Sequence, residues 1–287
     1  MSFRKVLVPV TGGARDECAL TTAFAAAQPF GAHVAALFVH ADPRETLPFG
    51  ELPLSPDFVQ ELIDTASNIA SAAGKAARAN LATIAERCGV EVQSEAKNHG
   101  QLSTCYSEIT GYLPHVLGRA ARLSDLVVFP PLRTGDAHDL LDAFCRVLFK
   151  SACPVLLTPS QPPKVIGHHI AVGWDDGISC ARALVEAMPY LAKAETITFL
   201  TVGEPSASPP VGEAMDYLHL HGLSATARVI PKGGRKVAEA LLAAAQEGGA
   251  DMLIMGGYSR GRMAEAVFGG VSEHIVTHLQ LPVFMVH

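Results

Sequence analysis

The chain has 287 residues, of which 49% are hydrophobic and 17% are charged, and its formal net charge is −6. This apolar content excludes a disordered chain, and at about 150 residues per domain the length indicates two domains. An acidic chain without runs of Lys or Arg lacks the basic surface that phosphate backbones require, so nucleic acid is not an expected partner.

The sequence also lacks the patterns of a membrane or secreted protein. No stretch approaches the ~18 uncharged apolar residues of a membrane span. The first apolar run, residues 6–10, is short and is followed by Arg15, Asp16 and Glu17, unlike a signal peptide. The six cysteines contain no Cys-x-x-Cys pair, which is typical of reduced thiols. We therefore expect a cytoplasmic protein without a membrane partner.

In the N-terminal half, short apolar runs alternate with helical patterns. Residues 6–10 form the first predicted strand, which leads through TGG at 11–13 into an alanine-rich helix. A long helix is predicted over 58–87. Two further predicted strands follow, DLVVF at 125–129 and CPVLL at 153–157.

The C-terminal half repeats this order. DMLIM at 251–255 matches DLVVF, LPVFM at 281–285 matches CPVLL, and Asp175 lies 164 residues after Thr11 at the end of a first strand. Predicted strands of this half lie at 170–174, 196–202, 225–230, 252–255 and 283–286. The pattern indicates a duplicated domain.

Apolar residues three and four apart predict helices between these strands. One predicted helical face comprises Ala181, Leu184, Val185 and Met188. Apolar strands that alternate with helices predict a parallel sheet covered on both faces. The expected fold class is α/β, with two tandem doubly wound domains at 1–159 and 164–287 and a proline-containing linker at 160–163. Each domain is expected to hold a five-stranded, mainly parallel sheet with helices on both faces.

Glycine-rich turns follow the strand at 252–255. The sequence there is GGYSRGR, and GGVS follows at 269–272. Ligands of open α/β sheets bind at the carboxyl ends of the strands, where the strand order reverses. Glycines let backbone amides approach a ligand, and a glycine turn before a helix is suited to an anion. Tight turns without a ligand are the alternative.

This spacing resembles the motif of the universal stress protein family, a Gly-x-x-Gly pair with a later Gly-Ser/Thr that binds the phosphates and ribose of ATP. Gly256 and Gly269 take the first and third glycine positions, whereas Ser259 and Gly270 depart from the pattern. The resemblance implies a nucleotide site formed by Asp175, Val202, Met255, Gly256, Ser259, Gly269, Gly270, Val271 and Ser272.

The resemblance covers both halves and implies individual roles. Asp175 occupies the place of an aspartate that contacts the nucleoside, and Val202 the place of a valine beside the adenine. In the N-terminal half, Thr11 replaces the aspartate, and a proline-containing turn at 130–135 replaces the glycine turn. Because prolines lack amide donors, this half is expected to be degenerate and to bind no nucleotide.

The function implied is that of a stress-response regulatory protein that binds ATP, ADP or AMP in its C-terminal half, without efficient catalysis. No metal is established at the site. The alternative is an interaction module that binds no nucleotide and acts through surfaces of the paired halves. A homodimer of the tandem chain and an unidentified protein partner remain open.

Three further patterns allow two interpretations each. The segment TGGARD at 11–16 is close to a loop of ATP pyrophosphatases, but Asp16 is one residue late, and a helix-entry turn is the alternative. The pair Asp175-Asp176 suits a metal ion or a cap of the following helix. Trp174 suits core packing, in a place where it would also report on a nearby ligand.

Overall fold

The computed structural model describes residues 2–41, 55–96, 100–132, 138–163, 165–203, 210–257 and 279–287. In the N-terminal half these form β1 (Lys5–Val10), α1 (Asp16–Ala27), β2 (His33–His40), α2 (Pro56–Cys88), β3 (Glu91–Val92), β4 (Ser103–Thr110), α3 (Leu113–Ala121), β5 (Leu126–Phe129), α4 (His138–Lys150) and β6 (Val155–Leu157). In the C-terminal half they form β7 (His169–Gly173), α5 (Ile178–Glu186), α6 (Met188–Leu191), β8 (Thr196–Val202), α7 (Gly212–Leu220), β9 (Thr226–Ile230), α8 (Val237–Glu247), β10 (Met252–Gly256) and β11 (Val283–Val286).

The strands form one 11-stranded sheet in the order β3-β4-β2-β1-β5-β6-β11-β10-β7-β8-β9. Within each half the paired strands are parallel, and the order reverses between β1 and β5 and between β7 and β10. This arrangement confirms the doubly wound α/β class. The expected five strands of the N-terminal half are joined by a sixth, β3, which pairs outside β4. Each reversal leaves a crevice at the carboxyl ends of the strands.

The two halves join through their final strands, β6 and β11, which pair antiparallel. Leu156 lies opposite Phe284, while Val155 pairs with Met285 and Leu157 with Val283. In the repeat, Val155 corresponds to Val283 and Leu157 to Met285. Val155 therefore pairs with the counterpart of Leu157, and Leu157 pairs with the counterpart of Val155. A pseudo-two-fold axis that passes between Leu156 and Phe284 produces this crosswise register. The two halves therefore meet edge to edge through their final strands.

Aromatic side chains fill the junction on the face of α1 and α5. Phe3, Phe30 and Tyr190 pack together with ring centroids 5.0–5.2 Å apart. Tyr190 is fully buried, and its hydroxyl donates to the carbonyl oxygen of Ala26 in the other half (2.9 Å). A buried hydroxyl needs such a partner, so this hydrogen bond ties α6 to α1 across the junction.

One aspartate in each half fixes the start of the half's first strand. Asp125 Oδ2 accepts hydrogen bonds from the backbone N–H groups of Arg4 (2.7 Å) and Lys5 (2.8 Å). Asp251 does the same in the C-terminal half, where it accepts from Gly167 (2.8 Å) and its two successors. The repeat seen in the sequence at DLVVF and DMLIM is therefore also a repeat of hydrogen bonding.

The predicted face of the first C-terminal helix is correct at Leu184 but wrong at Ala181 and Val185. Ala181 is exposed, as is Val185 at 51%, whereas Ala183 and Leu184 are buried with the core. The predicted face extends to Met188, whereas the helix ends at Glu186. Pro189 cannot donate to a preceding turn, so the chain instead starts the short α6 there. The sheet therefore selects a different stripe of α5.

Candidate functional site

The C-terminal crevice is bordered by the turn between β7 and α5. The backbone N–H of Gly177 donates to Asp175 Oδ1 (2.9 Å), and Asp176 has a φ of +60°, in the left-handed region. An aspartate that accepts from the residue two positions later forms an Asx turn. The half-buried Asp175 carboxylate thus stands before the positive end of α5, where an acidic group is stabilised.

Gly256, at the end of β10, is packed against the first turn of α5. A Cβ at this position would lie 2.6 Å from the backbone nitrogen of Cys180 and 2.8 Å from the carbonyl carbon of Ser179. Only glycine permits this approach of backbone to backbone. The structure therefore brings two predicted site residues, Asp175 and Gly256, to the N-terminal end of the same helix.

Gly257 is held by β11 of its own half and by α4 of the N-terminal half. Its N–H donates to the carbonyl oxygen of Val286 (2.7 Å), and a Cβ would lie 3.2 Å from Leu148 Cδ2 on α4. The two glycines thus leave β10 between α5 of their own half and α4 of the other. The sequence offered no sign of this second contact, because nothing in the repeat pattern shows which helix crosses the junction.

Cys180 lies in the first turn of α5 but is unsuited to nucleophilic chemistry. Its Sγ donates to the carbonyl oxygen of Gly173 (2.9 Å), and the side chain is buried. Burial raises the pKa of Cys180 to about 11, so the thiol is neutral at physiological pH and lacks the reactivity of a thiolate.

Val202, Met255 and Trp174 lie at different places in and beside the sheet. Val202, the half-buried last residue of β8, lies on the strand next to β7. Met255 is buried in the core on the α8 face, opposite to the face of Trp174 and Cys180. Trp174 packs in the core 5.8 Å from Phe199 between ring centroids, and its Nε1 donates to the carbonyl oxygen of Pro210 (2.9 Å).

The phosphate-binding part of the predicted site lies outside the described residues. This group comprises Ser259, Gly269, Gly270, Val271 and Ser272. Among the residues that the structure does describe, no group of three or more His, Cys, Asp or Glu side chains is arranged to hold a metal ion. The roles of these five residues stay predictions.

The N-terminal crevice is filled by the chain itself. Asp16 is fully buried, and its carboxylate accepts from the backbone N–H groups of Thr11 (2.9 Å) and Gly12 (2.7 Å) and from the Thr11 hydroxyl (3.0 Å). These amides are the donors that a bound anion would need. The helix-entry interpretation of TGGARD is therefore correct, with Asp16 as the acceptor that organises the turn.

The long helix α2 closes the same crevice from outside. Gly12 has a φ of +79°, and a Cβ there would overlap the carbonyl oxygen of Ala73 in α2. The Tyr106 hydroxyl donates to the carbonyl oxygen of Gly74 (2.8 Å), and the Arg78 guanidinium lies 4.6 Å from the Tyr106 ring centroid. These contacts fix α2 at the carboxyl edge of the N-terminal half. They support the expectation that this half is degenerate.

None of the helices in the described ranges is both long enough and apolar enough to span a membrane. The longest, α2, instead begins with an N-cap at Ser55, whose Oγ accepts from the Phe58 N–H (3.3 Å), and ends at Gly89 with a φ of 66°. These caps satisfy terminal backbone groups at both ends of the helix.

Comparison with known proteins identifies the fold. The model of the universal stress protein family matches residues 220–287. A universal stress protein from Archaeoglobus fulgidus DSM 4304 is similar in structure, with a TM-score of 0.63 and 15% identity over 98% of this chain and 97% of that one. A protein described as a putative universal stress protein from Pseudomonas aeruginosa UCBPP-PA14 has a TM-score of 0.54 and 16% identity over 99% and 93% of the two chains. No curated protein matches the sequence significantly.

Proposed function

We propose that this chain, which has the universal stress protein fold in tandem and matches that family over residues 220–287, is a stress-response protein that binds an adenine nucleotide in its C-terminal half. The proposal depends chiefly on one observation: Asp175 lies just before α5 and Gly256 packs against the first turn of α5, in the crevice where the strand order reverses. That crevice is the usual ligand position of doubly wound sheets.

Different residues are assigned to the adenosine part and to the phosphates of the proposed ligand. The Asp175 carboxylate accepts from the hydroxyls of the ribose, and Val202 lies beside the adenine. Gly256 begins the turn that receives the phosphates, together with Ser259, Gly269, Gly270, Val271 and Ser272. ATP, ADP and AMP share the adenosine part, so all three are candidate ligands.

Efficient catalysis is not part of the proposal. Turnover of ATP requires a general base or a metal-bound triphosphate close to the γ-phosphate. The neutral Cys180 thiol supplies no base. We expect binding with at most slow hydrolysis, in a cytoplasmic protein.

Calorimetric titration and thermal unfolding with ATP test the proposal. At a hundredfold excess over Kd, a ligand that binds only the folded state raises the free energy of unfolding by about 2.7 kcal/mol. Asp175→Ala should weaken ATP binding about tenfold, because it removes a charged hydrogen-bond acceptor. The matched control is Thr11→Ala at the equivalent position of the filled crevice, which should leave ATP affinity unchanged.

Two results would contradict the proposal. The first is the absence of binding heat and of a melting shift at millimolar ATP in the unaltered chain, which favours the interaction module. The second is equal loss of affinity in Asp175→Ala and Thr11→Ala, which places the ligand elsewhere. A homodimer and a protein partner stay predictions that analytical ultracentrifugation would check.

A further inference from the structure

The exit of β10 is enclosed by helices from both halves of the chain. On one side, Gly256 packs against the backbone of Ser179 and Cys180 in α5. On the other, Gly257 packs against Leu148 of α4. Because glycine has no side chain, the positions of Gly256 and Gly257 depend on the packing of these helices and on backbone hydrogen bonds. The N-terminal half therefore forms one wall of the C-terminal crevice.

His287 joins the three elements that meet at this point. Its Nδ1 lies 2.9 Å from the carbonyl oxygen of Gly257. A carbonyl oxygen only accepts, so Nδ1 carries a proton and donates. The imidazole packs edge-on against Phe149 of α4, with 4.7 Å between ring centroids and 81° between planes. The carbonyl oxygen of His287 accepts from the Arg182 guanidinium on α5.

We propose that Phe149 and His287 are positioning residues for the nucleotide site, through which the N-terminal half sets the affinity of the C-terminal half. Phe149 fixes the plane of the imidazole, and the imidazole fixes the carbonyl group of Gly257, the residue next to Gly256. Arg182 connects the backbone of His287 to α5, the helix that follows the Asp175 turn. The degenerate half thereby has a function in the site that it does not itself form. This inference rests on the proposed nucleotide binding.

Three variants of the full chain separate the ring contact from the hydrogen bond. His287→Phe keeps an aromatic ring against Phe149 and removes the donor to Gly257. His287→Asn keeps a donor near the position of Nδ1 and removes the ring, while Phe149→Leu removes the ring on α4. We expect His287→Phe to weaken ATP binding about fivefold, the order of one lost hydrogen bond, and Phe149→Leu to weaken it about threefold. His287→Asn should stay within about twofold of the unaltered chain.

The matched control is the ring pair of Tyr217 and His221, which has the same 4.7 Å centroid distance on α7 and the turn that follows it. His221→Phe should change neither ATP affinity nor hydrogen exchange near β10. Amide exchange in the ligand-free chain gives a second measurement. His287→Phe should speed exchange of the Gly257 N–H, which donates to Val286, while exchange of β1 stays unchanged.

Each outcome decides one question. Unchanged affinity and unchanged Gly257 exchange in His287→Phe overturn the inference, and so does an equal loss in His287→Phe and His221→Phe. If the unaltered chain binds no ATP, the proposed function fails, and exchange alone tests the positioning. In that case faster Gly257 exchange in both His287→Phe and Phe149→Leu supports it, and unchanged exchange overturns it.

Discussion

The two crevices of the sheet occupy equivalent positions in the two halves. The N-terminal crevice is filled by the chain itself, and the C-terminal crevice is not closed in the same way. In the N-terminal half, the carboxylate at the helix is Asp16, which takes the amides of Thr11 and Gly12. In the C-terminal half, the residue 164 positions later is Cys180, and the carboxylate stands instead at the strand end, as Asp175. The same position of the fold is therefore a packed turn when the carboxylate is on the helix, and a candidate ligand site when the carboxylate is at the end of the strand.

The helix after the second strand reinforces this difference. In the N-terminal half, α2 runs from Pro56 to Cys88 and meets Gly12 at Ala73. Its counterpart α7 runs only from Gly212 to Leu220. A helix of nine residues is about 14 Å long and one of 33 residues about 50 Å. The longer helix reaches past the carboxyl edge of the sheet, and this reach closes the crevice.

The largest expected effect comes from a methyl group at Gly256. In Gly256→Ala the new Cβ lies too close to the backbone of α5, so β10 or α5 must move. We expect a loss of about 1–3 kcal/mol in the free energy of unfolding and at least about tenfold weaker ATP binding. Urea unfolding and calorimetry measure the two effects.

Gly212→Ala is the control for Gly256→Ala. A Cβ at Gly212 meets no atom within 4 Å, and the residue begins α7. This substitution should be neutral or stabilise the chain by up to about 1 kcal/mol. If Gly256→Ala is equally well tolerated, the close approach of β10 to α5 does not limit the C-terminal crevice.

A second prediction tests the filled crevice. Asp16→Ala leaves two backbone donors without their acceptor, and it should lower the free energy of unfolding by about 1–3 kcal/mol. Cys180→Ala at the equivalent position removes one weak donor and a small apolar volume, and it should cost less. Equal losses measured by urea unfolding would show that the Asp16 carboxylate is no more important to its turn than the Cys180 thiol.

The smallest expected effect is a pH dependence that comes from Glu108 in the N-terminal half. Glu108 Oε2 accepts from His40 Nε2 (2.8 Å), and this hydrogen bond lowers the pKa of Glu108 from its ordinary value of 4.5. A lowered folded-state pKa gives stability that is complete above the ordinary value and is lost as the pH falls through the folded-state pKa. Because Glu108 is partly exposed, solvent screening keeps the effect small.

Glu108→Gln tests this by removing the titrating group. The free energy of unfolding of the unaltered chain should decrease below about pH 4.5, and this decrease should be smaller in the variant. The equivalent position on β9 is the exposed Val229. Val229→Gln is therefore the control, because neither the original nor the new side chain titrates. An unchanged acid profile in Glu108→Gln would show that the His40 contact does not contribute to stability.

Much of the fold follows from the sequence because the signals are strong and repeated. The strands are continuous apolar runs, and the matching segments DLVVF and DMLIM show the duplication. What the sequence could not show depends on contacts between distant elements. The two residues of β3 are too few for a periodic pattern, and the buried stripe of α5 was set by the sheet and by Pro189.

The candidate site was predictable to a similar degree. Asp175 and Gly256 follow from their places after strands, and the structure brings them to the N-terminal end of one helix. The carboxylate of Asp16 was visible in TGGARD, but its direction toward the preceding amides is a property of the folded turn. The contacts of His287 with Phe149 and Gly257 lie between residues 138 and 30 positions apart, and no local pattern encodes them.

The antiparallel pairing of β6 with β11 also affects how the molecule assembles. An exposed sheet edge invites pairing with any other edge in solution, and two separate domains would meet only as often as their concentration allows. Here the matching edges belong to one chain, so their association is intramolecular and has a high effective concentration. The joined sheet should therefore persist on dilution, and melting of the junction should not depend on how much protein is present.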